Sequence, residues 1–280
     1  MNAADTLTLG YSPCPNDTFI FSAWVGGLLD RAPAVDVRYE DISTLNDLAL
    51  ASALDVAKVS FHVFGHLRKE YCLLRSGGAL GRGCGPLVVA RDPLVVRELR
   101  GKRIAIPGRR TTAALLLRLF DPELTDLPVM AFDDIMAATR DGVVDAGLII
   151  HESRFTYAQY GLHEVVDLGA WWERNTGHAI PLGGIVARRA LGGPRLRAIE
   201  TAIRNSLAHA YERPADIWDT VRAHAQEMDD DVMRQHIDLY VNDFTRDYGQ
   251  EGEAAIRRLL TTAEEIGAVP RADLPLFAQE

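Results

Sequence analysis

The sequence predicts an α/β protein of two similar lobes, with a ligand cleft between them and a set of C-terminal helices packed on lobe one. Three observations carry this expectation. A unit of strand, polar turn and helix occurs twice, three short echoes recur in the same order, and beyond residue 190 the apolar spacing becomes helical.

Taken in order, Leu7 to Tyr11 reads as a short strand that runs into the turn SPCPND, after which Thr18 to Leu29 reads as a helix. The strand Arg103 to Ile106 repeats the pattern, followed by the turn Pro107-Gly108-Arg109-Arg110 and a helix from Thr112 to Phe120. A closer echo pairs LDVAKVSFH (54–62) with VDAGLIIH (144–151): an aspartate, Asp55 or Asp145, precedes a mostly apolar strand that ends in polar side chains. Another pairs GPLVVARDPL (85–94) with GGIVARRAL (183–191), each a glycine, an apolar strand and Ala-Arg. Such a chain leaves lobe one near residues 86–91, builds lobe two and returns near 183–188. The expected lobes are therefore 1–88 with 187–280, and 89–186. LRAIETAIRNSLAHAYE, PADIWDTVRAHAQEM, DDVMRQHIDLYVNDF and Gly252 to Leu260 keep apolar residues three and four apart, so they are expected to pack on lobe one as helices. Open α/β sheets bind ligands beyond the carboxyl ends of their strands, which in a two-lobed protein face one another across the cleft.

Composition narrows the function classes. The 280 residues are enough for two lobes with real cores, and 48% hydrophobic with 25% charged residues is ordinary for a globular chain. Thirty basic against thirty-nine acidic residues, a net charge of -9, opposes binding to nucleic acid, and no basic stripe offsets it. The longest basic group, Lys102-Arg103 with Arg109-Arg110, suits one small anion better. Cys14, Cys72 and Cys84 show neither CxxC spacing nor an even count, as expected of reduced thiols in the cytoplasm. The start MNAADTLTLGYSPCPND has no apolar leader and no stretch is apolar for ~18 residues, so no membrane partner is expected. Nothing in the sequence specifies an oligomeric state.

Candidate chemistry collects at the expected strand ends. His151 follows the strand Gly147 to Ile150 with no intervening turn residue, which puts an imidazole, able to exchange a proton near neutral pH, at the cleft mouth. The same histidine would serve equally as a cap on a backbone carbonyl. Glu152 could orient it only if the strand end bends, because neighbouring side chains on a strand point to opposite faces. In PGRRTTAALL (107–116), the free N–H groups of Thr112 and Ala113, the hydroxyls of Thr111 and Thr112 and the helix dipole form a candidate seat for a carboxylate or phosphate; a plain N-cap is the bland alternative. Lys58 and Ser60 share one face of their strand, and a lysine there either pairs with an anion and lines the cleft or reaches solvent at the sheet edge.

Other features carry less. RSGGALGRGCGP (75–86) lacks GxxxxGK[ST] and leads into a strand, so it reads as flexible backbone before the first crossing rather than a phosphate loop. His62 and His66 sit four apart on an expected helix, without a third metal ligand. Trp171-Trp172 could wall an aromatic substrate, but such pairs usually pack a core. There is no GxSxG, and nothing near Cys14 in sequence would activate its thiol.

YSPCPNDTFIF, RSGGALGRGCGPLVVAR, IPGRRTTA, GLIIHESRFTY and DLGAWWE together resemble the 1,4-dihydroxy-6-naphthoate synthases of the futalosine route to menaquinone, and the resemblance covers most of the chain. It implies a fold like the type II periplasmic binding proteins, and a carbon-carbon lyase that converts cyclic dehypoxanthine futalosine to 1,4-dihydroxy-6-naphthoate and dihydroxyacetone without metal or organic cofactor. By motif match it implies His151 as general base, with Lys58, Ser60, Thr111, Thr112 and Ala113 contacting a small carboxylate substrate and Asn46 as a further candidate. Two alternatives stand beside it. One is chorismate dehydratase of the same pathway, a branch that shares the fold but not the combination of SPCPND and HESRF; the other is a non-catalytic binding protein for a small carboxylate.

Overall fold

Two mixed β-sheets divide the chain. In the computed structural model, which describes residues 6–225 and 229–277, the first part runs β1 (Leu7–Tyr11), α1 (Pro15–Val25), β2 (Val35–Tyr39), α2 (Ile42–Leu50), β3 (Val56–Ser60), α3 (Phe61–Leu67), β4 (Tyr71–Leu73) and β5 (Ala79–Gly81). The middle holds β6 (Leu87–Ala90), β7 (Ile104–Ala105), α4 (Thr112–Phe120), α5 (Asp134–Arg140), β8 (Ala146–Ile149), α6 (Ser153–Thr156), β9 (His163–Asp167) and α7 (Leu168–Thr176). The chain then returns through β10 (Ile180–Arg188) and ends in α8 (Gly192–Glu212), α9 (Ala215–His224), α10 (Asp230–Tyr240), α11 (Asp243–Arg246) and α12 (Gly249–Glu265).

The first sheet has the order β2-β1-β3-β10-β4, with β5 also paired to β10; the second has the order β7-β8-β6-β9. The echoes in the sequence occupy equivalent places in the two sheets. β3 lies parallel to β1 and antiparallel to β10, while β8 lies parallel to β7 and antiparallel to β6. The aspartates before β3 and β8 also do the same work. Asp55 Oδ2 accepts from Thr8 N at 3.0 Å while Asp55 N donates to Thr8 O, and Asp145 Oδ2 accepts from Arg103 N at 2.8 Å while Asp145 N donates to Arg103 O. Each carboxylate thereby fastens the start of the neighbouring parallel strand. By sheet membership the chain passes from the first sheet to the second between β5 and β6 and returns between α7 and β10.

α1 begins earlier and ends earlier than its apolar spacing predicts. Pro15 takes the first helical position, where its fixed φ and missing N–H are no handicap, and Gly26 with Gly27, the latter at φ +71, stops the helix before Leu29. α4 spans Thr112–Phe120 as expected, with Thr111 as its cap. RSGGALGRGCGP is close-packed at two points, where a Cβ on Gly78 would lie 2.0 Å from the Tyr248 hydroxyl and one on Gly85 2.3 Å from the Gly169 Cα, while Arg82 and Gly83 between them are exposed.

The core follows from these elements. One apolar cluster joins α1, one face of the first sheet and α8; a second runs continuously from α3 and α12 through α4 into the second sheet. The C-terminal helices accordingly pack on the first lobe, with α8, α9 and α10 all against α1. Among the described residues, no helix is long and apolar enough to cross a membrane.

Candidate active site

A cleft opens between the two sheets, at the carboxyl ends of β1, β3 and β8. Lys58, Ser60, Thr111, Thr112, Ala113 and His151, six of the seven residues singled out from the sequence, line it. Asn46 does not. It is 1% exposed and lies behind Ser60, where its Nδ2 donates to Ser60 Oγ at 3.0 Å and its Oδ1 accepts from Ser60 N at 2.9 Å. Because the Ser60 oxygen already accepts from Asn46, its own proton is left to point at a ligand.

Lys58 resolves into the first of its two sequence readings. β3 is buried along its whole length, so the ammonium cannot reach solvent, and it pairs with Asp17 Oδ1 at 2.6 Å. Gly77 O accepts a second of its protons at 3.1 Å. The Asp17 carboxylate also accepts from Ser12 Oγ at 2.8 Å and Asn16 Nδ2 at 2.9 Å, so both buried charges are met by hydrogen bonds. The turn SPCPND and the start of α1 thus form one wall of the cleft.

The opposite wall is the start of α4. Thr111 Oγ1 accepts from Ala114 N at 3.2 Å and donates to Gly108 O, while Thr112 Oγ1 donates to Leu182 O at 2.6 Å across to β10. Both hydroxyl protons are therefore engaged in holding the turn, which leaves the N–H groups of Thr112 and Ala113, in the first turn of a helix, for an incoming anion. His62 supports this turn from behind through a 3.2 Å contact of Nδ1 with Thr111 O. Burial lowers the His62 pKa to about 4, so its ring is neutral and donates through Nδ1–H. Of the basic group Lys102, Arg103, Arg109 and Arg110, none lines the cleft, and Lys102, Arg103 and Arg110 lie in surface ion pairs with Asp145, Asp126 and Asp47.

His151 ends its strand without a glycine by adopting the conformation glycine usually supplies. Its φ is +56, in the left-handed region, which costs an ordinary residue about 1–2 kcal/mol. The turn swings the imidazole into the cleft and brings Glu152 round beside it, resolving the opposite-face objection from strand geometry. The His151 ring packs edge-on to Phe132 at 5.1 Å and lies nearly parallel to His236 at 6.3 Å. Desolvation lowers its pKa below the ordinary histidine value. A neutral imidazole with a free lone pair faces the cleft at neutral pH.

Behind it lies a layer of polar groups that sequence spacing did not single out. His236 on α10, 1% exposed, places Nε2 2.8 Å from Asn16 Oδ1 and Nδ1 3.7 Å from Glu152 Oε2. Tyr240, one turn further along α10, reaches the cleft, and burial raises its pKa. Among the described residues, Cys14, His151 and Glu152 are the one group of three metal-ligand side chains with ligand atoms within 4.8 Å of one another. Burial pushes the Cys14 thiol well above its usual value, which disfavours the thiolate that a metal or a nucleophilic role requires. Trp172 is buried with its Nε1 donating to Ala179 O, and Trp171 packs edge-on to Phe120; neither lines the cleft.

Comparison with known proteins gives this geometry its context. A protein-family model described as menaquinone biosynthesis matches residues 7–265. The chain is 50% identical over 273 residues to a Streptomyces coelicolor protein named 1,4-dihydroxy-6-naphtoate synthase, with 96% of each chain covered. It is also 50% identical over 273 residues to a Thermus thermophilus protein of the same name, with 98% of this chain and 99% of that one covered. A crystal structure of an Archaeoglobus fulgidus protein is similar at a TM-score of 0.90 and 35% identity, covering 96% of this chain and all of that one. The periplasmic aliphatic sulphonate binding protein SsuA of Escherichia coli shares the fold at a TM-score of 0.67 and 13% identity, over 98% of this chain and 92% of its own. The two-lobed α/β architecture is that of the periplasmic binding proteins.

Proposed function

Because the chain belongs to the menaquinone biosynthesis family, we propose that it is a 1,4-dihydroxy-6-naphthoate synthase, a carbon-carbon lyase that converts cyclic dehypoxanthine futalosine to 1,4-dihydroxy-6-naphthoate and dihydroxyacetone. The observation that carries the chemistry is a neutral His151, turned into the same cleft as a helix start with free N–H groups.

The two features divide the work. The substrate carries a carboxylate on its aromatic ring, a small anion to which the N–H groups of Thr112 and Ala113 donate, helped by the Ser60 hydroxyl and the remaining ammonium proton of Lys58. Asn46 acts through Ser60, and Thr111 acts by holding the turn. With that end fixed, His151 removes a proton, the carbon skeleton fragments in a retro-aldol sense, and formation of the second aromatic ring drives the step forward. General base catalysis contributes ~10²- to 10⁴-fold, and positioning within the closed cleft supplies the rest. The three free, buried cysteines agree with a reducing, cytoplasmic setting.

The direct test mixes purified protein with the cyclic substrate and follows naphthoate absorbance, beside a parallel assay with chorismate. Turnover of the cyclic substrate is expected, together with a loss of at least ~10²-fold in kcat for His151→Ala. Unimpaired turnover by that variant would remove the base assignment. Conversion of chorismate instead would make the chain a chorismate dehydratase, and tight binding without product would return it to the carboxylate-binding class that the fold also serves.

A further inference from the structure

Two buried polar atoms face each other behind His151 with no hydrogen-bond partner. They are Glu152 Oε2 and His236 Nδ1, 3.7 Å apart. Their surroundings fix what each can offer. Asn16 Nδ2 donates to Asp17 Oδ1, an oxygen that also accepts from Lys58, so the Asn16 oxygen is the atom turned toward His236. His236 Nε2 therefore carries a hydrogen and donates it at 2.8 Å. In the neutral ring, Nδ1 is then a bare lone pair, and the atom opposite is a carboxylate oxygen. Two acceptors buried face to face with no donor between them is an arrangement native proteins rarely tolerate, and one proton resolves it.

We infer that Glu152 and His236 hold a single proton between Oε2 and Nδ1, and that this contact is a positioning device that fixes the His151 turn against the C-terminal helices. Whether the proton rests on oxygen or nitrogen, the pair is neutral as a whole. It joins α10, packed on the first lobe, to the residue that follows His151 on the second, and so braces a backbone conformation that a non-glycine residue does not hold unaided. The other titratable and charged groups around it are Cys14 and Asp17 of the α1 turn, Lys58 of β3, Tyr240 of α10 and Asp41 ahead of α2.

The activity arm of the test rests on His151 being the base; the spectroscopic arm does not. In full-length protein labelled with ¹⁵N-histidine and free of substrate, His236 is expected to show a slowly exchanging Nε2–H and an Nδ1 resonance moved from the bare-acceptor position toward the protonated one. A bare-acceptor Nδ1 would overturn the inference. Glu152→Gln keeps a donor for Nδ1 and the neutrality of the pair, so its kcat and the acid limb of its pH–kcat profile should stay close to those of the parent. Glu152→Ala removes the donor and should lower kcat by ~10²-fold with little change in KM. If Glu152 were instead a bare carboxylate, Glu152→Gln would shift the acid limb to lower pH by about one unit or more, which contradicts the shared proton. Equal activity of the Ala and Gln variants would contradict the positioning role. The spectroscopic arm needs no substitution, so it decides the matter even if the Ala variant does not fold. Loss of the His151 assignment through an active His151→Ala enzyme would leave its result unaltered.

Discussion

At the scale of single residues, the energetics of the site concentrate in Lys58 and Asp17. Their side chains are 4% and 3% exposed and 2.6 Å apart, so neither charge has water to fall back on. Removing one partner leaves the other buried and uncompensated: Asp17→Leu is expected to destabilise the fold by about 3–5 kcal/mol in urea unfolding. The double variant Asp17→Leu with Lys58→Met, apolar on both sides, should recover most of that loss, whereas additive losses would show that the two residues do not act as a pair. The sequence made half of this arrangement legible. A lysine inside an apolar strand demands an anion or an opening, and the structure supplies the anion. The identity of the anion was not legible, because it is set by packing α1 against β3 across 41 residues. His236 was hidden more deeply. It approaches Asn16 from 220 residues away, and on α10 its spacing is that of any apolar-face residue.

At the scale of elements, the internal repeat can be weighed residue against residue. Asp55 and Asp145 occupy equivalent places, but Asp55 is half-buried and accepts from both the N and the Oγ1 of Thr8, whereas Asp145 is exposed and accepts from Arg103 N. Since a buried hydrogen bond to a charged group is worth about 1.5–3 kcal/mol and an exposed one less, Asp55→Ala should cost about 2 kcal/mol of stability and Asp145→Ala under about 1. Urea unfolding of the two variants makes the comparison, and equal losses would mean that the exposed contact is as strong as the half-buried one. These aspartates were visible in the sequence because the alternation of one acidic residue with an apolar strand survives in both halves. β4 and β5, at three residues each, are too short to carry a period, and the early start of α1 depended on reading Pro15 as a first helical residue rather than as part of a turn.

At the scale of the whole molecule, the two-lobed plan was legible because its two crossings repeat a sequence, while the contacts between the lobes were not. They join residues far apart in the chain: Thr112 to Leu182, His62 to Thr111, and Glu152 to His236. The burial of His62 makes stability depend on pH, and the direction follows from linkage. Its pKa is about 4 in the fold, mainly through desolvation, against about 6.5 unfolded, and desolvation also lowers that of His66. Between those values the unfolded chain binds more protons than the fold, so stability is fully present above pH ~6.5 and declines as pH falls toward ~4. His62 alone accounts for about 3 kcal/mol over that span, and His66, half-buried, for less. His151, whose pKa desolvation also lowers, adds to the decline in the same direction, whereas His236 stays outside this sum, because the proton it shares with Glu152 is already bound in the fold. Urea unfolding at pH 7, 6 and 5 should therefore show a falling free energy. His62→Gln, which keeps a donor for Thr111 O but does not titrate, should flatten the decline by close to one proton per molecule. A pH dependence identical to that of the parent would mean that the His62 ring is not held neutral where the first lobe supports the anion seat.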